Sequence, residues 1–504
     1  MNRGEVPGYE FEAPRGPRDA SGPRRAIEPE QTLQFPRERR ESPRDQFQFR
    51  REQPQFRREQ FKFQREQPQQ EPRPSVRSAG SGVFAVMRTR NWLMGLAVPI
   101  LAAIAVGIAV VVVTGGGGNG GAAPSALAAG FPPARLAGAS FTGTAGTSRV
   151  LLTAIGASAG TEVAVGGVNG GPALWVSSDG GDTYARAALT GSVSLTRADT
   201  GQLAGVAHGP AGWLAVGTTR VGNGGLLVAF SPNARDWTVA DAIAGNAVAA
   251  AVAAGPAGYV IVGHRTAGAS GAAAAWYSPS LTGWRSAGIT QQAQQGASGG
   301  QIMNAVTATS RGFAAVGASG TSPAAWLSAT GRTWQQVQVA MPSGAARAAL
   351  EYVAANGADV VAAGTEFSPA GASNPFAEVS TDAGATWTQV QLPVPTTGLG
   401  TGTTVTALTA AGGGFTAVGT YVTQAGPEVV VWTLPPGGAL TDGGSWTALT
   451  PQGTGLAGTA AENTITAVAA DGATLTGVGF TVPLAKSGMP GAQQPTLWQS
   501  PIRY

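Results

Sequence analysis

One short phrase, an apolar alternating strand that closes on glycine, recurs seven times along this chain of 504 residues. Val163-Ala164-Val165-Gly166 and Val260-Ile261-Val262-Gly263 are two copies; the others close on Gly217, Gly317, Gly364, Gly419 and Gly479. Successive glycines lie 51, 46, 54, 47, 55 and 60 residues apart, so the repeating unit holds a whole supersecondary motif rather than a helical heptad. A second apolar strand precedes each phrase across a Gly-containing turn, as at Thr404-Val405-Thr406-Ala407-Leu408. A third follows, ending on an aromatic and a small polar residue, as at Trp175-Val176-Ser177 and Trp326-Leu327-Ser328. A tight turn then leads to a fourth strand that opens on Tyr184, Trp237, Trp284, Trp334, Trp387 or Trp446. Four antiparallel strands at this period make one blade, so the sequence predicts an all-β, seven-bladed β-propeller over residues 131–504.

The turn between the third and fourth strands carries a finer pattern. Ser177-Ser178-Asp179-Gly180-Gly181-Asp182-Thr183-Tyr184 and Ser380-Thr381-Asp382-Ala383-Gly384-Ala385-Thr386-Trp387 both read S-x-D-x-G-x-T-aromatic, and Thr441-Asp442-Gly443-Gly444-Ser445-Trp446 is a shortened form. Three further copies replace the acid, with Asn233, Ser280 and Thr330. These turns resemble the Asp-box (BNR) repeats of the sialidase-like propeller superfamily, a resemblance of blade architecture that runs over residues 150–500. It implies the fold strongly and an activity weakly, because such propellers serve catalysis and plain binding alike. A short Asp or Asn side chain accepts backbone N–H groups inside a tight turn and the closing aromatic packs between blades. Asp179, Asp382 and Asp442, with Tyr184, Trp387 and Trp446, are therefore expected to be structural.

The seventh unit stops four residues after Trp498-Gln499-Ser500. An unfinished blade exposes a strand edge. The segment 131–145, just ahead of the first blade, is expected to supply the missing outer strand.

Ahead of the repeats the chemistry changes twice. Residues 1–90 hold 19 of the 32 Lys and Arg and 13 of the 28 Asp and Glu, with few aliphatic residues, so they are expected to form a disordered tail. The basic balance of the chain belongs to this tail and gives no reason to expect a nucleic-acid partner. Its repeated Phe-Arg-Glu-Gln phrases over 47–68 suit a cytosolic partner or a solvated low-complexity tract. Trp92 to Val113 is a run of 22 residues without a charge, about 33 Å as a helix and enough to cross a bilayer. Arg88 and Arg90 precede it, and the next positive charge after it is Arg135. By the positive-inside rule the span, residues 91–114, is a signal anchor of a single-pass cell-membrane protein with its N-terminus cytoplasmic and its propeller extracellular. Residues 115–130, rich in Gly and Ala, form a tether.

Little in the sequence points to a reaction. Without cysteine there is no disulfide or thiolate chemistry, and the two histidines, His208 and His264, lack metal-ligand spacing, so no metal or cofactor is expected. The resemblance makes a sialidase centre the sharpest enzyme hypothesis, needing an arginine trio, a Tyr/Glu pair and an Asp. Phe131-Pro132-Pro133-Ala134-Arg135-Leu136 is only a loose echo of that family's entry motif, and Arg186, Arg235, Arg285 and Arg332 fall beside turns. Glu351 and Tyr352 are adjacent, which on a regular strand sends them to opposite faces. The loops joining second and third strands carry the less routine residues: Arg220, His264, Arg265, Glu366, Tyr421, Glu428 and Lys486. These are the candidate binding residues, and the expected function is a non-catalytic binding or scaffolding module for an envelope glycan or protein in a bacterial style of composition. The alternative is a membrane-anchored glycoside hydrolase of Asp-box type.

Overall fold

The computed structural model describes residues 149–191, 201–219, 224–240, 243–266, 271–290, 300–395, 402–423, 426–450, 461–472, 474–483 and 493–502. The tail, the apolar run 92–113, the tether and the segment 131–145 lie outside these residues. Among the described residues no helix is long and apolar enough to cross a membrane.

The described strands fall into seven sheets, each a meander in chain order. Blade 1 is Val150–Ser158, Thr161–Val168, Gly171–Ser177 and Ala185–Arg186, and blade 5 is Arg347–Asn356, Asp359–Phe367, Ser373–Ser380 and Thr388–Gln391. The first strand of every blade neighbours the first strands of the blades before and after it, and that of blade 7, Ala461–Asp471, returns to Val150–Ser158. Seven sheets thus stand around one axis with their first strands innermost: a seven-bladed β-propeller.

Each sheet buries both faces. In blade 1, Val163 and Val165 pack against Leu203 and Trp213 of blade 2, whereas Ala164 and Trp175 pack against Val478 and Leu497 of blade 7. The same division gives one hydrophobic cluster per seam around the ring. This is why the second strands read as unbroken apolar runs: a strand buried on both faces has no solvent side to mark with polar residues.

The repeated glycine has a single cause. Every innermost strand carries a β-bulge, at Thr153, Ala204, Ala250, Asn304, Glu351, Thr406 and Thr466 in blades 1 to 7. The bulge drives a backbone carbonyl toward the second strand. A Cβ at Gly166, Gly217, Gly263, Gly317, Gly364, Gly419 or Gly479 would lie 1.9 to 2.1 Å from that oxygen, so no side chain fits. Several bulged residues also tie the ring together. Thr153 Oγ1 donates to Leu203 O of blade 2 at 2.7 Å, Asn304 Nδ2 to Leu350 O of blade 5 at 2.9 Å, and Thr466 Oγ1 to Leu152 O of blade 1 at 3.0 Å. At Glu351 the bulge also breaks the simple alternation expected of Glu351 and Tyr352. Glu351 is the extra residue, and Tyr352 packs against the core between blades 5 and 6.

Two short connectors extend the meander. Leu189–Gly191, leaving blade 1, pairs in parallel with the outer strand Trp237–Val239 of blade 2, and Gly288–Thr290, leaving blade 3, does the same to Thr333–Val337 of blade 4. Both cover an outer edge that would otherwise present unpaired backbone groups. Blade 7 has three strands among the described residues, ending at Gln494–Pro501.

Candidate functional site

The acidic turns lie on one side of the ring, together with the turns that join first and second strands. In blade 1, Asp179 Oδ1 accepts from Ser177 Oγ at 2.6 Å and from Thr183 N at 2.9 Å, and Oδ2 accepts from Thr183 Oγ1 at 2.5 Å. Blade 5 repeats this set at Asp382, with Ser380 Oγ at 2.7 Å, Thr386 N at 2.9 Å and Thr386 Oγ1 at 2.8 Å. The hydroxyls of Ser177 and Thr183 hold the Asp179 carboxyl down at about 2. Burial pulls Asp382 upward, but its bonds from Thr386 and Ser380 outweigh that and leave it below the usual range. Both oxygens of each carboxylate are engaged inside their own turn. Asp442 accepts from Gly444 N at 2.9 Å and opens a 3-10 turn, Gly443–Ser445.

Turns that lack the acid are held differently. Where Asn233, Ser280 or Thr330 replaces it, the closing tryptophan reaches back: Trp237 Nε1 donates to Ala234 O at 2.8 Å, Trp284 Nε1 to Leu281 O at 3.2 Å and Trp334 Nε1 to Gly331 O at 3.1 Å. In the acidic turns the indole N–H groups of Trp387 and Trp446 have no hydrogen-bond partner. In blade 2 the two fasteners act together, since Asn233 Oδ1 also accepts from Arg235 N and Asp236 N.

The candidate binding residues sit on the opposite side, and the second strands run further than the sequence suggested. His264 and Arg265 belong to the strand Gly258–Arg265, Glu366 to Asp359–Phe367, Tyr421 to Gly414–Thr423 and Glu428 to Gly426–Leu434, so these are strand-end residues and not loop residues. Tyr421 is buried and donates to Glu428 Oε2 at 2.7 Å across the ladder. Arg265 lies over the Trp276 ring and donates to Ser286 Oγ at 3.0 Å within its own blade. Burial lowers the His264 imidazole below its ordinary value. Glu366 lies within 3.5 Å of the Asn374 amide. The residues occupy blades 3, 5 and 6, and Tyr421 with Glu428 is the one pair among them that a hydrogen bond joins in the described residues. Arg220 and Lys486 lie outside those residues.

Two buried glutamates escaped the sequence reading. Glu162, 1 % exposed, accepts from the Tyr184 hydroxyl of its own blade and from Thr476 Oγ1 of blade 7 at 2.9 Å. Burial raises its carboxyl above the usual range against those two donors, and burial beside Glu162 raises the Tyr184 phenol. Glu378, also 1 % exposed, has no hydrogen-bond partner at either oxygen, and burial pushes it up to about 7. Aligning the units by their differences would have exposed both. Glu162 stands four residues before its glycine, where four other units hold Trp213, Tyr259, Phe313 and Phe415, and Glu378 stands where five units hold tryptophan.

A cleft of about 530 Å³ opens between blades 4 and 5 on the acidic-turn side, lined by Thr290, Thr309, Arg311, Gln335, Val337 and Asp382 among others. Arg311 Nη1 crosses it to Asp382 O at 3.3 Å. Among the described residues no three His, Asp or Glu side chains are grouped to hold a metal ion.

No family model and no curated protein matches the chain. Solved structures match in fold. YCF48 bound to D1 peptide is 11% identical with a TM-score of 0.42, over 75% of this chain and 100% of that one. YCF48 from Cyanidioschyzon merolae is 12% identical, also at 0.42, over 69% of this chain and 95% of that one. The Trypanosoma rangeli sialidase in complex with 2,3-difluorosialic acid is 12% identical at 0.36, over 70% of this chain and 54% of that one. These are likenesses of fold alone.

Proposed function

We propose that this chain is a non-catalytic binding or scaffolding module of the cell envelope. Its propeller is held outside the membrane by the apolar span at 92–113, with residues 1–90 in the cytoplasm and free to recruit a partner there. The observation that carries the non-catalytic reading is the state of the carboxylates. Asp179 and Asp382 spend both oxygens on their own turns, and Glu162 with its tyrosine partner is sealed from solvent. Glycoside hydrolysis needs two carboxyl groups facing each other across a groove that admits a sugar. The membrane reading rests on the length of the uncharged run and on the charge before it.

The test uses the full chain in membrane vesicles. A glycan array and a panel of hydrolysis assays are run side by side: binding without turnover is the expected result. Turnover that disappears when one strand-end carboxylate, Glu366 or Glu428, is changed to Gln would overturn the reading in favour of the hydrolase. Protease added to intact cells should cleave the propeller side and spare the tail, and the reverse pattern would overturn the orientation.

A further inference from the structure

The seven seams are not equivalent. In the third strand, the residue paired with the position two before the repeated glycine is Trp175, Trp276, Trp326, Trp432 and Trp498 in five blades. Each of these is fully buried against the preceding blade. Blade 2 has Ala229 there, and its seam is filled by Trp213 and Trp237. Blade 5 has Glu378, paired with Ala362 and Gln389. Ala362 and Phe376 on this face pack against Val316 and Ala325 of blade 4, so Glu378 faces blade 4 as the tryptophans face their own neighbours. The fully buried core of this seam contains no tryptophan or tyrosine, the half-buried Trp387 packs against it, and the 530 Å³ cleft lies between the same two blades.

Glu162 and Glu378 are equally buried, yet their surroundings differ. The first has two hydroxyl donors from both sides of its seam; the second has none. Ala362, Phe376, Ser380 and Gln389 share the sheet face of Glu378, and Ala314, Val316, Ala325 and Leu327 oppose it from blade 4; none of them titrates. An ionised carboxylate in that position has neither a counter-charge nor a hydrogen bond, and separating the blades to admit water relieves it. The inner part of the seam is tied by Ala348 N to Thr321 O and Ser310 N to Gly357 O, each at 2.9 Å, together with Asn304 to Leu350 O. The outer part, where the cleft is, is crossed by the long, solvent-exposed bond from Arg311 Nη1 to Asp382 O at 3.3 Å, and these are the charged residues of the cleft.

We propose that the seam between blades 4 and 5 is a proton-operated joint, packed shut while Glu378 keeps its proton and loosened when Glu378 ionises. The sign follows from the raised carboxyl. The closed state is fully favoured below the ordinary carboxylate value, and its advantage is lost as pH rises through about 7. Each pH unit between the ordinary carboxylate value and that point multiplies the open population by about ten and the rise levels off above it, so pH 8.5 against pH 6 gives about tenfold.

Amide hydrogen exchange of the full chain at pH 6 and pH 8.5, corrected for intrinsic exchange, tests this. Protection in Ser373–Ser380 and Thr388–Gln391 should fall with pH by about tenfold while blades 1 and 7 hold, and Glu378→Gln should abolish the step. Glu378→Trp, which restores the residue of five other blades, should leave the seam protected at both values. A seam whose protection does not change with pH, a loss spread evenly over all seven blades, or a step that survives in Glu378→Gln overturns the proposal.

Discussion

Thr476, on the second strand of the last blade, donates its hydroxyl hydrogen to Glu162 on the second strand of the first at 2.9 Å, across a sequence separation of 314 residues. Around that bond lie Tyr184, which donates to the other oxygen of Glu162, and Gln499, whose amide donates to Gly180 O at 2.8 Å. Four units place an aromatic where blade 1 has Glu162, and the turn of blade 1 closes on tyrosine where five others close on tryptophan. Among the described residues the closing seam is fastened by directional polar bonds that a seam of plain hydrocarbon lacks.

Removing one donor from a buried carboxylate leaves it under-bonded, at about 1–3 kcal/mol. Tyr184→Phe is therefore expected to lower folding stability by that amount in a denaturant titration. The pH dependence has a definite sign. Because the Glu162 carboxyl is raised in the folded protein, the stability it contributes is complete below the ordinary carboxylate value and is lost as pH rises through its raised one. Glu162→Gln should flatten that part of the stability profile, and an unchanged slope would show that Glu162 does not titrate as described.

The bulge and the glycine opposite it are one device. Gly364→Ala places a methyl 1.9 Å from Ala349 O, and backbone has to move to accommodate it. A loss of about 3 kcal/mol is expected, at the upper end of overpacking costs, with an urea midpoint as the readout. A neutral result would mean the bulge is dispensable.

Residues 131–145 are expected to supply the outer strand that completes blade 7, and that expectation has its own test. The last strand, Gln494–Pro501, ends the sheet of blade 7 among the described residues, and residues 131–145 lie outside them. We expect deletion of 131–145 to lower the thermal midpoint of the full chain by several degrees; an unchanged midpoint would remove this segment from the ring.

Blade number and strand order were legible because each unit must bury the same two faces, which forces a repeated apolar phrase with glycine at its end. The reason for that glycine was not legible, since the bulge is a relation between two strands and only its trace, the absent side chain, appears along one of them. The connectors Leu189–Gly191 and Gly288–Thr290 were missed because three residues carry no period. In the sequence Tyr421 and Glu428 look like loop residues because the apolar phrase ends at its glycine, whereas ladder pairing carries blade 6 onward to Thr423 paired with Gly426. Glu162 and Glu378 are not apparent from the repeat, because units alike in their apolar phrase conceal the positions where one unit differs.

The exchange of fasteners between turns yields a graded expectation. Asp382→Asn keeps an acceptor like the one that Asn233 supplies in blade 2, where its Oδ1 accepts from Arg235 N at 2.9 Å and Asp236 N at 3.0 Å, so little stability should be lost. Asp382→Ala removes the acceptor and should cost about 1 kcal/mol, as loss of a capping side chain does. Equal effects of the two changes would mean that charge, not hydrogen bonding, holds the turn.

The recurring acidic turns are expected to brace their own blades and to perform no chemistry. The thermal midpoint of the full chain carrying Asp179→Ala and Asp382→Ala tests that expectation most directly. The two turns lie in separate blades, so their losses should add and lower the midpoint by several degrees. A midpoint equal to that of the unaltered chain would contradict the account.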